Sequence, residues 1–260
     1  MVSKWLGDPP WLRDVLALRQ QKGKDRHHRL VVEGQRLSRA AFDAKLPFEQ
    51  LVVAPEFFDA PCEALVAEIR AAGVPVRQLR PETFSRLSYK AEGVIGVVRF
   101  VAPPLREVLR PSMVVVLDAL SDPGNIGAVL RTVDAFGPAG VVVVDGQEKL
   151  FHPKALRASM GAVFHTKACP CSRAAAIENI AALGRDVVVL TPDGQDLLGG
   201  VTHDSSVVVF GNEKRGIHPD WMRIATSRVR IPTTGIVDSL NVATAASVFL
   251  WEAYRARVGS

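Results

Sequence analysis

Three stretches of the sequence decide the fold: MVVVLDALSDPGNIGAVLR at residues 113–131, VVVFGNEKRG at 207–216 and IPTTGIVDSLNVATAASVF at 231–249. Each one joins a short apolar strand pattern to a loop of glycine and small polar residues. In open α/β folds, ligands bind beyond the carboxyl ends of the parallel strands. Three such junctions in one part of the chain therefore predict one composite site, built from the loops that follow the strands.

The sequence around these stretches alternates between strand and helix patterns. Valine-rich and leucine-rich runs predict strands at residues 113–118, 141–145, 167–168, 187–190, 207–210 and 229–231. Helical patterns separate them at about 126–136, 153–160, 173–183, 219–225 and 240–257. Near-continuous apolar strands separated by helices are typical of a parallel sheet covered on both faces. We therefore predict the α/β fold class, with a parallel-sheet domain in the carboxyl-terminal part of the chain.

The amino-terminal part of the sequence predicts a smaller α/β unit. A basic helical pattern covers residues 2–30, strands are predicted at 30–33, 51–54, 74–79 and 94–101, and helices at 36–44 and 62–72. Pro103 and Pro104 then interrupt the chain, because a proline cannot donate a backbone hydrogen bond and restrains the residue before it. We place the boundary there, which gives predicted domains at 1–105 and 106–260.

Composition and charge favour a globular protein with an acidic partner. The chain has 260 residues, of which 48% are hydrophobic, and this is enough for a sizeable core. Its formal net charge is +5, and residues 13–39 alone carry eight lysines and arginines against three acidic residues. This cluster, which includes Arg26, Arg29 and Arg36, favours contact with a polyanion. The alternative is an ordinary solvated helix face.

Cysteine usage and hydropathy favour the cytoplasm. Cys169 and Cys171 form a C-P-C pair and Cys62 lies far away, so the spacing fits neither a disulfide framework nor a structural zinc site. No signal-peptide pattern and no apolar run of about 18 residues is present, so the sequence predicts no membrane span.

Several familiar site types are excluded by spacing. The first loop offers only GNIG at 124–127, which is not the G-x-G-x-x-G of a dinucleotide fold. Gly211 and Gly216 have phosphate-loop spacing, but Ile217 and His218 stand where lysine and serine or threonine are required. No G-x-S-x-G elbow occurs, and the histidines lack metal-ligand spacing, so we predict no metal.

The motifs that remain resemble a known family. Three sets of residues are similar, in order and spacing, to motifs 1, 2 and 3 of the SpoU branch of the SPOUT RNA methyltransferases, the TrmH-like enzymes. They are Asn125–Gly127 with Arg131, residues 210–213 with Gly216, and residues 231–232 with 239–243. Residues 1–102 are similar to the substrate-binding domain that often precedes that catalytic domain, through RLVVEG at 29–34 and AEGVIGVV at 91–98. Thr233 departs from the methionine that is common after Ile-Pro in the family.

The resemblance implies a fold and a reaction. The family ties the carboxyl-terminal part of its α/β domain into a deep trefoil knot, binds S-adenosylmethionine in the knotted loops and usually forms homodimers. The implied reaction is methylation of a ribose 2′-hydroxyl in structured RNA. Ribosomal RNA is favoured as the substrate, because tRNA-modifying relatives commonly carry other extensions. Two alternatives are a tRNA 2′-O-methyltransferase and a catalytically silent RNA-binding member of the same fold.

The resemblance also assigns the predicted site residues. The implied catalytic residues are Asn125, Arg131, Glu213, Ser239 and Asn241. The implied cofactor-binding residues are Thr191, Phe210, Gly211, Asn212, Glu213, Gly216, Ile231, Pro232, Ser239, Leu240, Asn241 and Ala243, with glycine at 211 and 216 letting the backbone approach the adenosine. The predicted RNA-binding residues are Arg26, Arg29, Arg36, Lys154 and Arg157.

These residues also have purely structural interpretations. Asn125, Ser239 and Asn241 precede or begin helical patterns and are good helix caps. Glu213 has Lys214 and Arg215 beside it as ion-pair partners.

Arg131 is either a base that takes the hydroxyl proton or a group that positions a neighbouring phosphate, and we favour positioning, because an arginine side chain stays protonated in proteins. The final helix is predicted to pack in the core and at the dimer face.

Overall fold

The computed structural model describes residues 9–20, 28–88, 92–137, 139–197, 206–235 and 239–258. Within the predicted basic helix at 2–30 it contains helix α1 (Pro10–Gln20). Residues 2–8 and 21–27, and with them the predicted RNA-binding residue Arg26, lie outside the described residues. The described residues form two sheets, one of four strands and one of six strands.

The smaller sheet belongs to the amino-terminal part of the chain. Its strands are β1 (Arg29–Glu33), β2 (Phe48–Val53), β3 (Val76–Gln78) and β4 (Val94–Arg99), in the order β1–β4–β2–β3. Strand β4 is antiparallel to both β1 and β2, whereas β2 and β3 are parallel. The helices are α2 (Gln35–Asp43), α3 (Ala60–Ala71) and α4 (Pro81–Leu87). Helix α1 packs Leu12, Val15 and Leu18 on one face of the sheet, and α3 covers the other.

The larger sheet is parallel throughout, as predicted. Its strands are β5 (Met113–Asp118), β6 (Ala139–Val144), β7 (Ala168–Cys171), β8 (Val187–Asp196), β9 (Val207–Phe210) and β10 (Ser227–Arg230), in the order β10–β8–β9–β5–β6–β7. The helices are α5 (Leu105–Val108), α6 (Pro123–Phe136), α7 (Gln147–Leu150), α8 (Pro153–Ser159), α9 (Arg173–Ala182), α10 (Pro219–Ile224) and α11 (Val242–Val258).

The sequence prediction differs from the structure mainly in length and in the short helices. Strand β7 extends to Cys171 because its backbone pairs with residues 141–144 of β6. Strand β8 extends to Asp196 because it follows β10, where a register shift between Arg228 and Val229 accommodates its polar end. Helices α4, α5 and α7 were not predicted, since four to seven residues give too short a stretch for a helical period to appear.

The two sheets share one hydrophobic core. Leu30 and Val98 of the smaller sheet belong to the same buried cluster as Val115 and Phe249 of the larger unit. Phe100, just beyond β4, packs edge-on against Phe151 and Phe164, with ring centroids 5.8 and 5.6 Å apart. Burial of large aromatic side chains supplies much of the stabilisation in such contacts. The amino-terminal unit is therefore packed firmly on the larger one.

Candidate active site

The loops that follow β5, β9 and β10 meet beyond the carboxyl ends of these strands. Together with the middle of β8 and the start of α11, the β9 and β10 loops enclose a cavity of about 550 Å³. The loop after β5 closes one side of the site through hydrogen bonds to the β9 loop. The structure thus brings the three predicted stretches together, as the alternation of strands and loops implied.

The loop after β5 is held by several specific contacts. Ala119 ends the strand in a left-handed conformation, with φ of 53°. Asp122 caps α6 by accepting a hydrogen bond of 2.8 Å from the amide of Gly124, and its other oxygen receives one of 2.8 Å from Nζ of Lys154. Hydrogen bonding from Lys154, followed by that from the Gly124 amide, lowers the pKa of the Asp122 carboxyl. Nζ of Lys149 donates to the carbonyl of Leu120 over 2.8 Å.

Asn125 is not the helix cap, because Asp122 takes that role. Instead, its side chain bridges the other two loops. Nδ2 of Asn125 donates to Oε1 of Glu213 over 2.9 Å, and Oδ1 of Asn125 accepts from Nδ2 of Asn241 over 3.2 Å. Asn241 does cap α11, since its Oδ1 accepts from the amide of Ala243 over 2.9 Å. One half-buried amide therefore connects all three predicted motifs.

Glu213 turns inward from an exposed loop. Its Oε2 accepts a hydrogen bond of 3.0 Å from the amide of Ser121, and it forms no ion pair with Lys214 or Arg215. Partial burial alone would raise the pKa of the Glu213 carboxyl. Hydrogen bonds from Ser121, its own amide, Asn125 and Asp122 outweigh burial and lower this pKa. The carboxyl group is therefore ionised at neutral pH.

The loop that carries Glu213 is closed by backbone pairing. Asn212 and Gly216 exchange two backbone hydrogen bonds, of 3.1 and 2.9 Å, and Nδ2 of Asn212 donates to the carbonyl of Ala119 over 2.7 Å. Gly216 has a φ of 67°, which favours glycine. A Cβ on Gly211 would lie 2.3 Å from the Gly216 carbonyl oxygen. Glycine at 211 is thus required for loop closure, and its expected close approach to a ligand stays a prediction.

The cavity walls come from the predicted cofactor-binding residues and from others that were not predicted. The predicted residues that line it are Thr191, Phe210, Gly211, Asn212, Glu213, Gly216, Ile231, Pro232, Ser239, Leu240 and Asn241. Ala243 does not line it; this residue is buried in the core, and its amide is bonded to Asn241. The additional lining residues are Leu190, Pro192, Ile217, Arg230, Thr233, Val242 and Ala245. Among these, Val242 and Thr233 belong to or adjoin the third motif, Ala245 lies in the apolar period of α11, and Leu190 ends the strand predicted at 187–190.

Arg131 stands apart from this network. It lies six residues beyond Asn125 on α6, which is about 9 Å along the helix axis at about 1.5 Å per residue. The residue is exposed, and its side chain forms no hydrogen bond or ion pair with any residue that the structure describes. The structure therefore joins Asn125, Glu213 and Asn241 directly, places Ser239 in the cavity wall and leaves Arg131 free to meet a ligand from solvent.

The predicted RNA-binding residues are in different environments. Arg29 is paired with Asp14 at 2.8 Å, and Lys154 is paired with Asp122 at 2.8 Å, so both charges are largely compensated within the protein. Arg36 is exposed, with Nη1 3.7 Å from the sulfur of Met160. Arg157 is half-buried and lines, with Arg36, a cleft of about 480 Å³ between α2 and α8. These positions favour Arg36 over Arg29 for contact with a polyanion.

Cysteines, metals and membranes add little to this site. Cys62, Cys169 and Cys171 are free thiols. In the described ranges, no group of three or more histidine, cysteine, aspartate or glutamate side chains is arranged to hold a metal ion. None of the described helices is long and apolar enough to cross a membrane.

Comparison with known proteins agrees with the sequence motifs. The model of the SpoU rRNA Methylase family matches residues 112–251, and that of the MRM3-like substrate binding domain matches residues 10–95. An uncharacterized tRNA/rRNA methyltransferase of Archaeoglobus fulgidus is 35% identical over 187 residues, covering 70% of this chain and 80% of the relative. The 23S rRNA (uridine(2479)-2′-O)-methyltransferase of Streptomyces viridochromogenes is 30% identical over 192 residues, covering 69% of this chain and 67% of the relative.

A solved structure extends the likeness over nearly the whole chain. The crystal structure of an AdoMet-bound rRNA methyltransferase from Sinorhizobium meliloti is 30% identical and has a TM-score of 0.81. The alignment covers 96% of this chain and 95% of that chain, so both sheets are included. With the family match and the fold in agreement, this chain belongs to the SpoU rRNA methylase family.

Proposed function

We propose that this protein transfers a methyl group from S-adenosylmethionine to a ribose 2′-hydroxyl of ribosomal RNA. The observation that carries the proposal is the hydrogen-bonded set Asn125, Glu213 and Asn241, which joins the three motif loops beside one cavity. The Streptomyces viridochromogenes relative is named for this reaction on 23S rRNA. The division into a substrate-binding domain at 1–105 and a catalytic domain at 106–260 is part of the same proposal.

The cavity fits the cofactor in size and chemistry. Its volume of about 550 Å³ lies within the range of about 300–1,000 Å³ that is usual for ligand sites. Leu190, Phe210 and Ile231 supply apolar walls suited to a flat adenine ring, while the backbone and side chains of Asn212 and Asn241 supply polar edges. We propose that these residues, with Thr191 and Leu240, hold S-adenosylmethionine. The bound cofactor supplies an electrophilic methyl group on a sulfonium, so the protein needs chiefly to place the acceptor oxygen.

Glu213 is the group that orients the acceptor. Its carboxylate is ionised at neutral pH and lines the cavity, so it accepts a hydrogen bond from the ribose hydroxyl. The same lowered pKa makes this carboxylate a weak base, because efficient proton acceptors have pKa values near the working pH. Glu213 therefore directs the hydroxyl toward the methyl donor, and the hydroxyl proton is released to water as the methyl group is transferred. Asn125 and the Ser121 amide hold the carboxylate in place.

Arg131 acts on the phosphate next to the target ribose. Its exposed guanidinium is uncompensated by any described residue, and its planar donor set suits a phosphate group. We expect Arg131→Ala to lower kcat for methyl transfer by orders of magnitude while the affinity for S-adenosylmethionine is largely retained. Equilibrium cofactor binding and single-turnover methylation separate the two effects, and an unchanged methylation rate would exclude the role.

The assembly follows the family resemblance. We propose a cytoplasmic homodimer in which the last part of the larger domain forms a trefoil knot around the cofactor loops. An exposed aromatic surface supports the dimer: Trp251 is 46% exposed and packs on Phe136 and Tyr254. Sedimentation of the wild-type protein and of Trp251→Ser tests it, and a wild-type monomer at micromolar concentration would exclude the dimer.

One experiment tests the reaction. The protein is incubated with labelled S-adenosylmethionine and unmodified ribosomal RNA or tRNA transcripts, and alkali-resistant linkages are then mapped. Label in a single linkage of ribosomal RNA is the expected result. Label in tRNA alone selects the tRNA 2′-O-methyltransferase instead. No label on either RNA or on assembled ribosomal subunits, with cofactor binding confirmed, selects the catalytically silent RNA-binding protein.

A further inference from the structure

The loop that carries Glu213 also carries two exposed cations, Lys214 and Arg215. The amides of Lys214 and Arg215 both donate to Oδ1 of Asn212, over 2.9 and 3.1 Å, which fixes the turn. All three side chains are exposed, but Glu213 lines the cavity and bonds to Asn125, whereas Lys214 and Arg215 do not line it. Within the described ranges, neither cationic side chain has an ion pair or a hydrogen bond.

Other cations around the same cavity are compensated by acidic neighbours. Arg230 lines the cavity and is paired with Asp196, and the next arginine along the strand, Arg228, lies 3.4 Å from Asp193. Lys154, beside the β5 loop, is paired with Asp122. Among the described residues, the uncompensated positive charge near the cavity is therefore on Arg131 and on the loop that also supplies Glu213. Such charge attracts phosphate groups, and the attraction is sensitive to salt.

We propose that Lys214 and Arg215 bind two backbone phosphates of the RNA strand next to the phosphate that Arg131 contacts beside the ribose to be methylated. This inference rests on the proposed function, because it assigns the phosphates to the RNA substrate of that reaction. Adjacent Cα atoms are about 3.8 Å apart, and both side chains are long, so their charged ends can separate to reach neighbouring phosphates. Lysine acts there as a compact point charge, whereas arginine offers a planar pair of donors.

The arrangement sets the register of the RNA strand. Glu213 lines the cavity and directly precedes the two cations in the chain, so one turn carries both the group that contacts the hydroxyl and the groups that contact the phosphates. Closure of the loop through Asn212 and Gly216 keeps these groups at a fixed separation. Lys214 and Arg215 are therefore positioning residues: they hold the target ribose over the cavity and take no proton.

The test compares two double variants with the same change in charge. Lys214→Gln with Arg215→Gln removes the proposed contacts. Arg223→Gln with Arg228→Gln removes two exposed arginines that are already paired with Asp220 and Asp193. Because the net charge is equal, any loss of long-range attraction is common to both. Thermal unfolding and S-adenosylmethionine affinity are measured for both to show that each is folded.

RNA affinity is measured for poly(U) and for a ribosomal RNA transcript over a series of KCl concentrations. Two lost phosphate contacts should make the plot of log K against log salt shallower by about 1.4, at about 0.7 per contact for a single strand. We also expect the KM for RNA of the Lys214→Gln, Arg215→Gln variant to rise on the order of tenfold. The control double variant should have a KM close to that of the wild type. The charge-conserving variant Lys214→Arg, Arg215→Lys should retain RNA affinity.

The results separate this inference from the proposed function. Equal salt slopes for the two double variants would overturn the phosphate contacts even if the wild-type protein methylates RNA. If the wild-type protein methylates no RNA, the proposed reaction fails, and the assignment of these phosphates to a methylated ribose fails with it. A shallower slope for the Lys214 and Arg215 variant would then show only that the loop binds RNA.

Discussion

Replacing Asn125 by aspartate tests the network at the centre of the site. The substitution keeps the shape of the side chain but turns the Nδ2 donor, which lies 2.9 Å from Oε1 of Glu213, into a carboxylate oxygen. Nδ2 of Asn241 keeps its acceptor, since Oδ1 is still an oxygen. The change therefore removes one charge-assisted hydrogen bond and places two carboxylates side by side, while the cap of α11 is unaffected.

The expected cost follows from that distance. Two unit charges about 3 to 4 Å apart repel by roughly 1 kcal/mol in water and by about 4 to 6 kcal/mol at an effective dielectric constant of about 20. Because Glu213 is exposed, the lower figure applies, and the lost charge-assisted hydrogen bond adds about 1.5 kcal/mol. A total of about 2 to 3 kcal/mol corresponds to a fall in kcat/KM of about 30- to 150-fold.

The assay is methyl transfer to RNA as a function of pH, with cofactor affinity measured in parallel. Two adjacent carboxylates raise the pKa of the pair, so Asn125→Asp should regain part of its activity on mild acidification. Asn125→Ala, which loses the hydrogen bond without adding a charge, should fall about tenfold and show no such recovery. Asn179→Asp, on the exposed side of α9, is the matched control and should retain wild-type activity. Wild-type kcat/KM in Asn125→Asp would refute the role of the network.

Three further predictions concern stability and reactivity. Folding lowers the pKa of the Glu213 carboxyl, so its stabilising contribution is present above the usual carboxyl range and is lost as the pH falls through the folded pKa. In urea unfolding, the difference in free energy of unfolding between wild type and Glu213→Gln should therefore shrink in acid. A difference that grows in acid would contradict this prediction. Gly127→Ala places a methyl 2.2 Å from the backbone carbonyl oxygen of Ala155 and should lower the free energy of unfolding by about 1 to 3 kcal/mol. Gly124→Ala places a methyl 3.0 Å from the Lys154 side chain and 3.2 Å from that of Asp122, both of which can shift, so chemical denaturation should show a smaller loss than for Gly127→Ala. Burial raises the pKa of the cysteine thiols to about 11 or about 12, so all three should react with a thiol reagent at pH 8 far more slowly in the folded than in the unfolded protein; fast labelling before unfolding would be inconsistent with their burial.

The parallel sheet and the composite site could be predicted from sequence because their signals are local. Buried parallel strands require continuous apolar runs, and residues 113–118 and 207–210 have such runs with bounds that match the structure. The loops that follow them must lie at one edge of the sheet. For the same reason the meeting of Asn125 with Glu213 follows from strand order, once β5 and β9 are neighbours.

Other features depend on contacts that no local pattern reveals. That Asp122, and not Asn125, caps α6 depends on which side chain reaches Gly124 after the helix has formed. Lys154 is paired with Asp122, which is far away in sequence, so no local pattern could show that the charge of Lys154 is compensated. This ion pair weakens the argument that Lys154 contacts RNA. Arg230, at the end of β10, and Ala245, on the inner face of α11, both line the cavity. Neither residue belongs to a motif that predicts function.

The shared core of the two sheets makes the amino-terminal unit a fixed arm. Phe100, packed against Phe151 and Phe164, leaves little freedom for one sheet to swing relative to the other. On the proposed function, RNA bound to the smaller unit would present to the cavity the nucleotide that lies at one fixed spacing along the RNA. Selection of the nucleotide would then depend on geometry more than on base identity. Lengthening the RNA helix between the two contacts by one base pair should move the methylated position by one nucleotide.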